Sequence, residues 1–240
     1  MDKGIEYIRA KLPAAFLFEN VKALTFKMHR PYFDSVMSAL KGVQHGGEPA
    51  YEVTWKVMNT KDYGLPQSRP RVFVVGVRRS RMVRCFKWPK KVKCTSIENI
   101  LGPRSRKLAT HPNLSNFTAT QVANFTAGLN KIIAKGGDPI SETWFIDLNS
   151  SLSRRHVVKD ICPCLTKRRA GRKGYYVSNR GRFMNTSEML ALQGVPRDRL
   201  IRPTFVREHQ FDASIGNAVS IPVLRVLLHQ MCVALGYADL

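Results

Sequence analysis

The sequence predicts an α/β domain interrupted by a second, basic lobe. Three observations predict it: strand-like and helix-like periodicities alternate over the first 80 residues, the middle of the chain is irregular and holds most of the charge, and helical patterns close the chain. With 240 residues, 44% hydrophobic and 9% aromatic, the chain can bury the core of one large domain or two small ones.

In chain order, residues 14–18 (Ala-Ala-Phe-Leu-Phe) form a continuous apolar run between Pro13 and the polar pair Glu19-Asn20, which reads as a buried strand ending at a functional edge. Phe33, Val36, Met37 and Leu40 recur at helical spacing and predict a helix over 31–41. Tyr51, Val53, Trp55 and Val57 alternate with Glu52, Thr54 and Lys56, the pattern of a half-buried strand. Val72 to Val77 is a second strand, apolar throughout, and the loop between them carries Tyr63-Gly64-Leu65-Pro66-Gln67. Arg69 and Arg71 are two residues apart, so an extended strand places them on one face. Residues 119–134 read as a helix punctuated by Gly136-Gly137. Asn185 with Glu188 makes a capping box for a short helix to Gln193, stopped by Gly194 and Pro196. A last helix runs from about Ile221 to Leu235, its apolar face interrupted by Arg225 and His229.

The charge selects the partner. There are 39 Lys or Arg against 17 Asp or Glu, a formal net charge of +22, which argues for a polyanionic partner and against a cationic one, with nucleic acid ahead of an anionic membrane surface. Residues 66–110 hold 13 basic side chains against Glu98 alone, and residues 150–183 hold 10 against Asp160 alone. Arg-rich clusters at 78–81 and 167–173 point to phosphate contact. No apolar run approaches the roughly 20 residues of a membrane span, and the N-terminus lacks a secretion pattern, so an intracellular protein is expected. The five cysteines, at 85, 94, 162, 164 and 232, lack the spacing of a structural zinc site; reduced thiols and no bound metal are the expectation.

Four blocks then bear on function. They are Phe18-Glu19-Asn20-Val21; Asp62 to Phe73, containing Gln67-Ser68-Arg69-Pro70-Arg71; Arg182 with Glu188, Leu192, Gln193, Gly194 and Pro196; and Gly216-Asn217-Ala218-Val219 followed by Ser220-Ile221-Pro222-Val223. In this order they resemble the Glu-Asn-Val, Gln-x-Arg-x-Arg, ninth and tenth motifs of the cytosine-5 DNA methyltransferases. The resemblance implies the C-terminal half of a Rossmann-like, S-adenosylmethionine-dependent methyltransferase fold. It divides the chain into a partial catalytic domain (1–102), a basic target-recognition domain (103–178) and C-terminal motifs returning to the catalytic domain (179–240).

The implied chemistry asks for these residue types. Cytosine C5 is a poor nucleophile, so a thiolate adds to C6 and negative charge develops at N3 and O2. By resemblance Glu19 hydrogen-bonds N3 and the exocyclic amine, and Arg71 meets O2. Arg69 and Gln67 brace the pocket or the DNA backbone. Arg154, Arg155, Lys167, Arg168, Arg169, Arg172 and Lys173 are candidate contacts to phosphates or guanine edges, a division the sequence leaves open. Asn217 and Ala218 fall near the methyl donor's pocket by resemblance alone, and Glu188 reads as a helix cap. The attacked carbon is hidden in stacked duplex, so the base must be flipped and the distorted DNA held by a basic surface.

The resemblance also exposes gaps. Nothing resembles the family's Gly-rich donor loop or its Pro-Cys nucleophile segment; Pro163-Cys164 comes after the Gln-x-Arg-x-Arg block, where the family has a different stretch. The isolated chain is therefore expected to bind double-stranded DNA without methylating it: either a longer chain or a second polypeptide supplies the first half, or the chain is a degenerate copy. The alternative is a non-catalytic DNA-binding regulatory or complementing subunit of a split methyltransferase. An RNA cytosine methyltransferase and a generic nucleic-acid binder rank lower, since Cys85-Phe86-Lys87 lacks the RNA subgroup's Cys-Phe-Thr and a generic binder leaves the ordered motifs unexplained.

Overall fold

The computed structural model describes residues 2–151, 157–170, 174–196 and 199–239. Its elements begin α1 (Asp2–Lys11), β1 (Ala15–Val21), α2 (Arg30–Lys41), β2 (Gln44–His45), β3 (Glu48–Pro49), β4 (Tyr51–Asn59), β5 (Gln67–Ser68) and β6 (Pro70–Arg78). There follow α3 (Arg106–Thr110), α4 (Ala119–Ala134), β7 (Trp144–Ile146), β8 (Val157–Lys159), β9 (Cys162–Pro163), β10 (Tyr176–Val177) and β11 (Arg182–Phe183). The chain ends with α5 (Thr186–Gln193), α6 (Glu208–Asn217) and α7 (Ile221–Ala234). No single helix among the described residues is long and apolar enough to cross a membrane.

The chain forms two compact units. The first comprises residues 1–59, 70–91 and 223–240. Its antiparallel sheet has the order β1-β6-β4, with β4 paired to β6 from Tyr51↔Arg78 to Asn59↔Pro70 and β1 paired from Ala15↔Val77 to Val21↔Arg71. Residues Val72 to Val75 and Val77 are buried, as the apolar run required of a central strand covered on both faces. Ile5 and Ile8 of α1 and Phe33, Val36, Met37 and Leu40 of α2 pack with Phe16, Tyr51, Val72 and Val74 in one core. Gly76 makes room for the Phe16 ring, which lies 2.1 Å from where a Cβ at position 76 would stand. β1 is longer than the apolar run, so Glu19 and Asn20 are paired strand residues rather than residues beyond its end. On α7, Arg225 and His229 are exposed while Val223, Leu227 and Met231 are buried; the two polar residues lie outside the apolar face and do not interrupt it.

The second unit comprises residues 60–69 and 92–222. Its antiparallel sheet, β11-β10-β7-β8, is built from strands of two or three residues, too short for a periodicity to show in the sequence. Alternation still works within it. Phe145 and Val177 face a core with Ile97, Leu165, Met189, Leu192, Phe211 and Ile215, while their neighbours Trp144, Ile146 and Tyr176 face another with Phe125, Ile132 and Leu148. The expected cap is present, Asn185 with Glu188 opening α5, and a second capping box that the sequence reading did not single out, Thr118 with Gln121, opens α4. These units do not follow the bounds 102 and 178. Residues 60–69 join the second unit because β5 pairs in parallel with β9, and residues 179–222 stay with it because α5 and α6 complete its core.

Candidate functional site

In the first unit the β1–β6 register decides which side chains meet. Glu19 lies opposite Phe73 and Arg71 opposite Val21, so Glu19 and Arg71 are diagonal neighbours on one face. Arg71 Nε stands 3.0 Å from Glu19 Oε1, with side chains 14% and 25% exposed. Arg71 Nη1 also donates to Pro70 O at 2.9 Å. The result is a carboxylate and a guanidinium, half sheltered from water and pointed at one another. Such a pair offers one acceptor and several donors to a planar polar ligand edge that enters between them.

Gln67 and Arg69 part company with this pair. The chain does not run straight from β5 into β6; Arg69 lies between the two strands and belongs to the second unit, so it does not share a strand face with Arg71. Its guanidinium is buried and donates to Leu165 O, to Gly216 O at 3.2 Å and to Ala218 O at 2.6 Å, and meets Cys164 Sγ at 3.4 Å. Gly216 is required at this junction, because a Cβ there would stand 2.3 Å from Thr166 O. Gln67, fully buried, donates to Leu192 O at 2.8 Å and accepts from Leu165 N–H at 3.3 Å. Both side chains hydrogen-bond the chain's own backbone, an internal bracing of the second unit.

The candidate contact cations between 154 and 173 also divide. Lys167 and Arg168 are exposed and line a groove of about 770 Å³ with Glu208, His209 and Asp212 from the first turns of α6. Arg169 instead pairs with Asp147 at 2.9 Å and donates to Asn149 O at 3.0 Å, which ties the loop down and balances its charge. Arg154, Arg155, Arg172 and Lys173 lie outside the described residues. Asp212, at the groove wall, has its carboxyl pKa raised by burial, against a hydrogen bond from Thr186.

Two further ion networks hold this unit together. Arg180, 2% exposed, sends Nη2 to Glu98 Oε2 at 2.9 Å and Nη1 to Oε1 at 3.1 Å, and Arg104 reaches the same carboxylate at 3.1 Å. Hydrogen bonds from Arg180, working against some burial and helped by Arg104 and Thr143, hold the Glu98 carboxyl down at about 2. Glu188 closes its capping box and also takes a two-point bond from Arg182 and the Gly102 N–H. Burial pushes its carboxyl up, but these donors outweigh burial and its pKa is lowered. Sequence reasoning missed the first network, although one signal was present: Glu98 is the lone acid in a strongly basic window.

Two residues lie near the methyl donor's pocket by resemblance. Asn217 is exposed at the end of α6, and the Ala218 carbonyl is already held by Arg69. Among the described residues no group of three or more His, Cys, Asp or Glu is placed to hold a metal ion, and all five cysteines are free. Cys164 is half-buried in a pocket of about 280 Å³ with Ser68, Asp147 and Tyr175.

Comparison with known proteins gives this geometry a context. A profile of the family described as C-5 cytosine-specific DNA methylase matches residues 3–232. The Type II methyltransferase M.NgoBI of Neisseria gonorrhoeae is 31% identical over 91% of this chain and 61% of its own length. For the Type II methyltransferase M.HaeII of Haemophilus aegyptius the figures are 29%, 96% and 64%. The chain thus spans under two thirds of the length of these relatives. Among solved structures, the Entamoeba histolytica methyltransferase EhMeth matches 96% of this chain and 68% of its own with a TM-score of 0.57 at 15% identity, a likeness of fold.

Proposed function

The chain belongs to the C-5 cytosine-specific DNA methylase family, and on that premise we propose that it is the base-holding and DNA-recognition part of a DNA cytosine-5 methyltransferase. The observation that carries the proposal is the Glu19–Arg71 pair at 3.0 Å. In this reading a flipped cytosine separates the two side chains. Glu19, carrying a proton on one oxygen, donates it in a hydrogen bond to N3 and accepts from the exocyclic amine with the other oxygen, Arg71 donates to O2, and the bonds to N3 and O2 strengthen as negative charge develops on the ring. Exposed Lys167 and Arg168, with the cations of residues 79–90, hold the phosphates.

The Pro-Cys and donor-loop motifs are not recognisable within these 240 residues. We propose that a further segment or a second polypeptide supplies the thiol and the S-adenosylmethionine site, the methyl group coming from that donor. The fraction of the relatives' length that the chain spans, 61% and 64%, fits this and also fits a complementing subunit without chemistry of its own.

Glu19→Gln in the complete enzyme separates the two. If Glu19 stabilises the ring charge, single-turnover methylation at saturating DNA falls about 100-fold or more, as for loss of one preorganised group, while duplex affinity holds. Near-normal turnover in this variant refutes the base-pocket assignment.

A further inference from the structure

A second groove lies wholly within the second unit, walled by Phe117, Tyr176 and Phe183 and rimmed by Asn113, Asn116 and Arg182. Its volume, about 770 Å³, falls in the range of small-ligand clefts. We infer that this groove holds a single unstacked DNA base, separate from the base at Glu19 and Arg71. The inference rests on the DNA-binding reading above and adds to it a place where sequence can be read.

Each wall has a part to play. Phe117 and Phe183 are half-buried, with ring centroids 5.8 Å apart and planes tilted by 46°, and both rest on Tyr176 in edge-to-face contact. The floor is thus a fixed aromatic platform, sequence-tolerant because every base has a π-face. Arg182 is locked in its two-point bond with Glu188, so it contributes a planar guanidinium face whose charge is already balanced.

Polar groups at the rim are unspent. Asn113 uses Oδ1 to accept from Ser115, which leaves its NH₂ facing outward bonds. The exposed Asn116 amide makes no hydrogen bond among the described residues. Side-chain amides match the donor and acceptor pattern of an adenine edge. Tyr176 is 1% exposed, yet its hydroxyl has no hydrogen-bond partner, and burial raises its pKa. A buried hydroxyl left unpaired is costly, and a base edge in the groove supplies the missing partner. Arg106 and Lys107, exposed on α3 beside the groove residue Leu108, are placed for the flanking phosphates.

The test uses the full chain and two short duplexes of one sequence, fully paired or carrying a single unpaired adenine, with binding followed by fluorescence anisotropy at low salt. The bulged duplex should bind more tightly by roughly fivefold or more, the factor carried by one base–aromatic stack. Phe117→Leu and Tyr176→Phe should each cancel most of that preference and leave affinity for the paired duplex unchanged. Tyr176→Phe should also keep its melting temperature, because the hydroxyl has no internal bond to lose. Asn116→Asp, at an exposed position, provides a variant with an intact core and should lower the preference too. Equal affinity for the two duplexes, or a preference untouched by all three changes, overturns the groove while leaving DNA binding standing. Binding to neither duplex overturns both.

Discussion

Arg69→Met should unfold the second unit far more readily without altering its apolar packing, because methionine keeps most of the aliphatic stem. The guanidinium is 3% exposed and serves three backbone carbonyls, those of Leu165, Gly216 and Ala218, of which Leu165 and Gly216 belong to buried residues. A hydrogen bond to a charged group contributes about 1.5–3 kcal/mol, but three sharing one guanidinium do not add, and removing it also relieves the burial of a charge. The net cost is about 3–5 kcal/mol, a large share of the 5–15 kcal/mol typical of a domain. With a urea dependence of about 2 kcal/mol per M, the unfolding midpoint should fall by roughly 1.5–2.5 M. The matched change Arg71→Met removes a partly hydrated ion pair and should cost only about 1 kcal/mol. A midpoint shift below about 0.5 M for Arg69→Met, together with loss of methylation in the complete enzyme, would return Arg69 to the base pocket and refute the bracing role.

Two other outcomes follow from the electrostatics. Since Glu98 is held at about 2 against an ordinary 4.5, its ion network stabilises the fold above pH 4.5, and that stability is lost as the pH falls from 4.5 towards 2. The carboxylate is one-third exposed, so the loss is kept to roughly 1–2 kcal/mol; Glu98→Gln should flatten the acid limb of a melting-temperature profile, and an unchanged limb would discount the network. Lys167→Glu with Arg168→Glu should weaken duplex binding and make log affinity against log salt less steep by about two, whereas Arg169→Ala should chiefly lower thermal stability; equal slopes in titrations of wild type and the double variant would remove Lys167 and Arg168 from the DNA surface.

What the sequence made legible was local. The strand at 51–59, the apolar strand at 70–78, the capping box before α5 and the closing helix each declare themselves within a dozen residues. The Glu19–Arg71 encounter needs only two strands in register, and motif resemblance had named both partners. The fates of Gln67 and Arg69 depend on contacts 95 to 149 residues away, through a two-residue parallel pairing no periodicity announces. The sheet β11-β10-β7-β8 was hidden for the same reason: strands of two or three residues are fixed by the cores on either face, not by propensity.

The same distinction applies to charge, where the sequence counts every cation alike and the structure does not. Arg69 is spent on carbonyls, while Arg71, Arg104, Lys159, Arg169, Arg180 and Arg182 are each turned toward a carboxylate. An arginine whose charge is already balanced releases few counterions when DNA arrives, so it adds rigidity more than affinity. Arg79, Arg81, Arg84, Lys87 and Lys90 in the first unit, and Lys167 and Arg168 in the second, are exposed and in no ion pair among the described residues. In the proposed complex with DNA, phosphate contact falls to these cations and to Arg106 and Lys107 on α3. The net charge of +22 is the excess of 39 Lys or Arg over 17 Asp or Glu, and it does not separate the cations that brace the fold from those left exposed and unpaired.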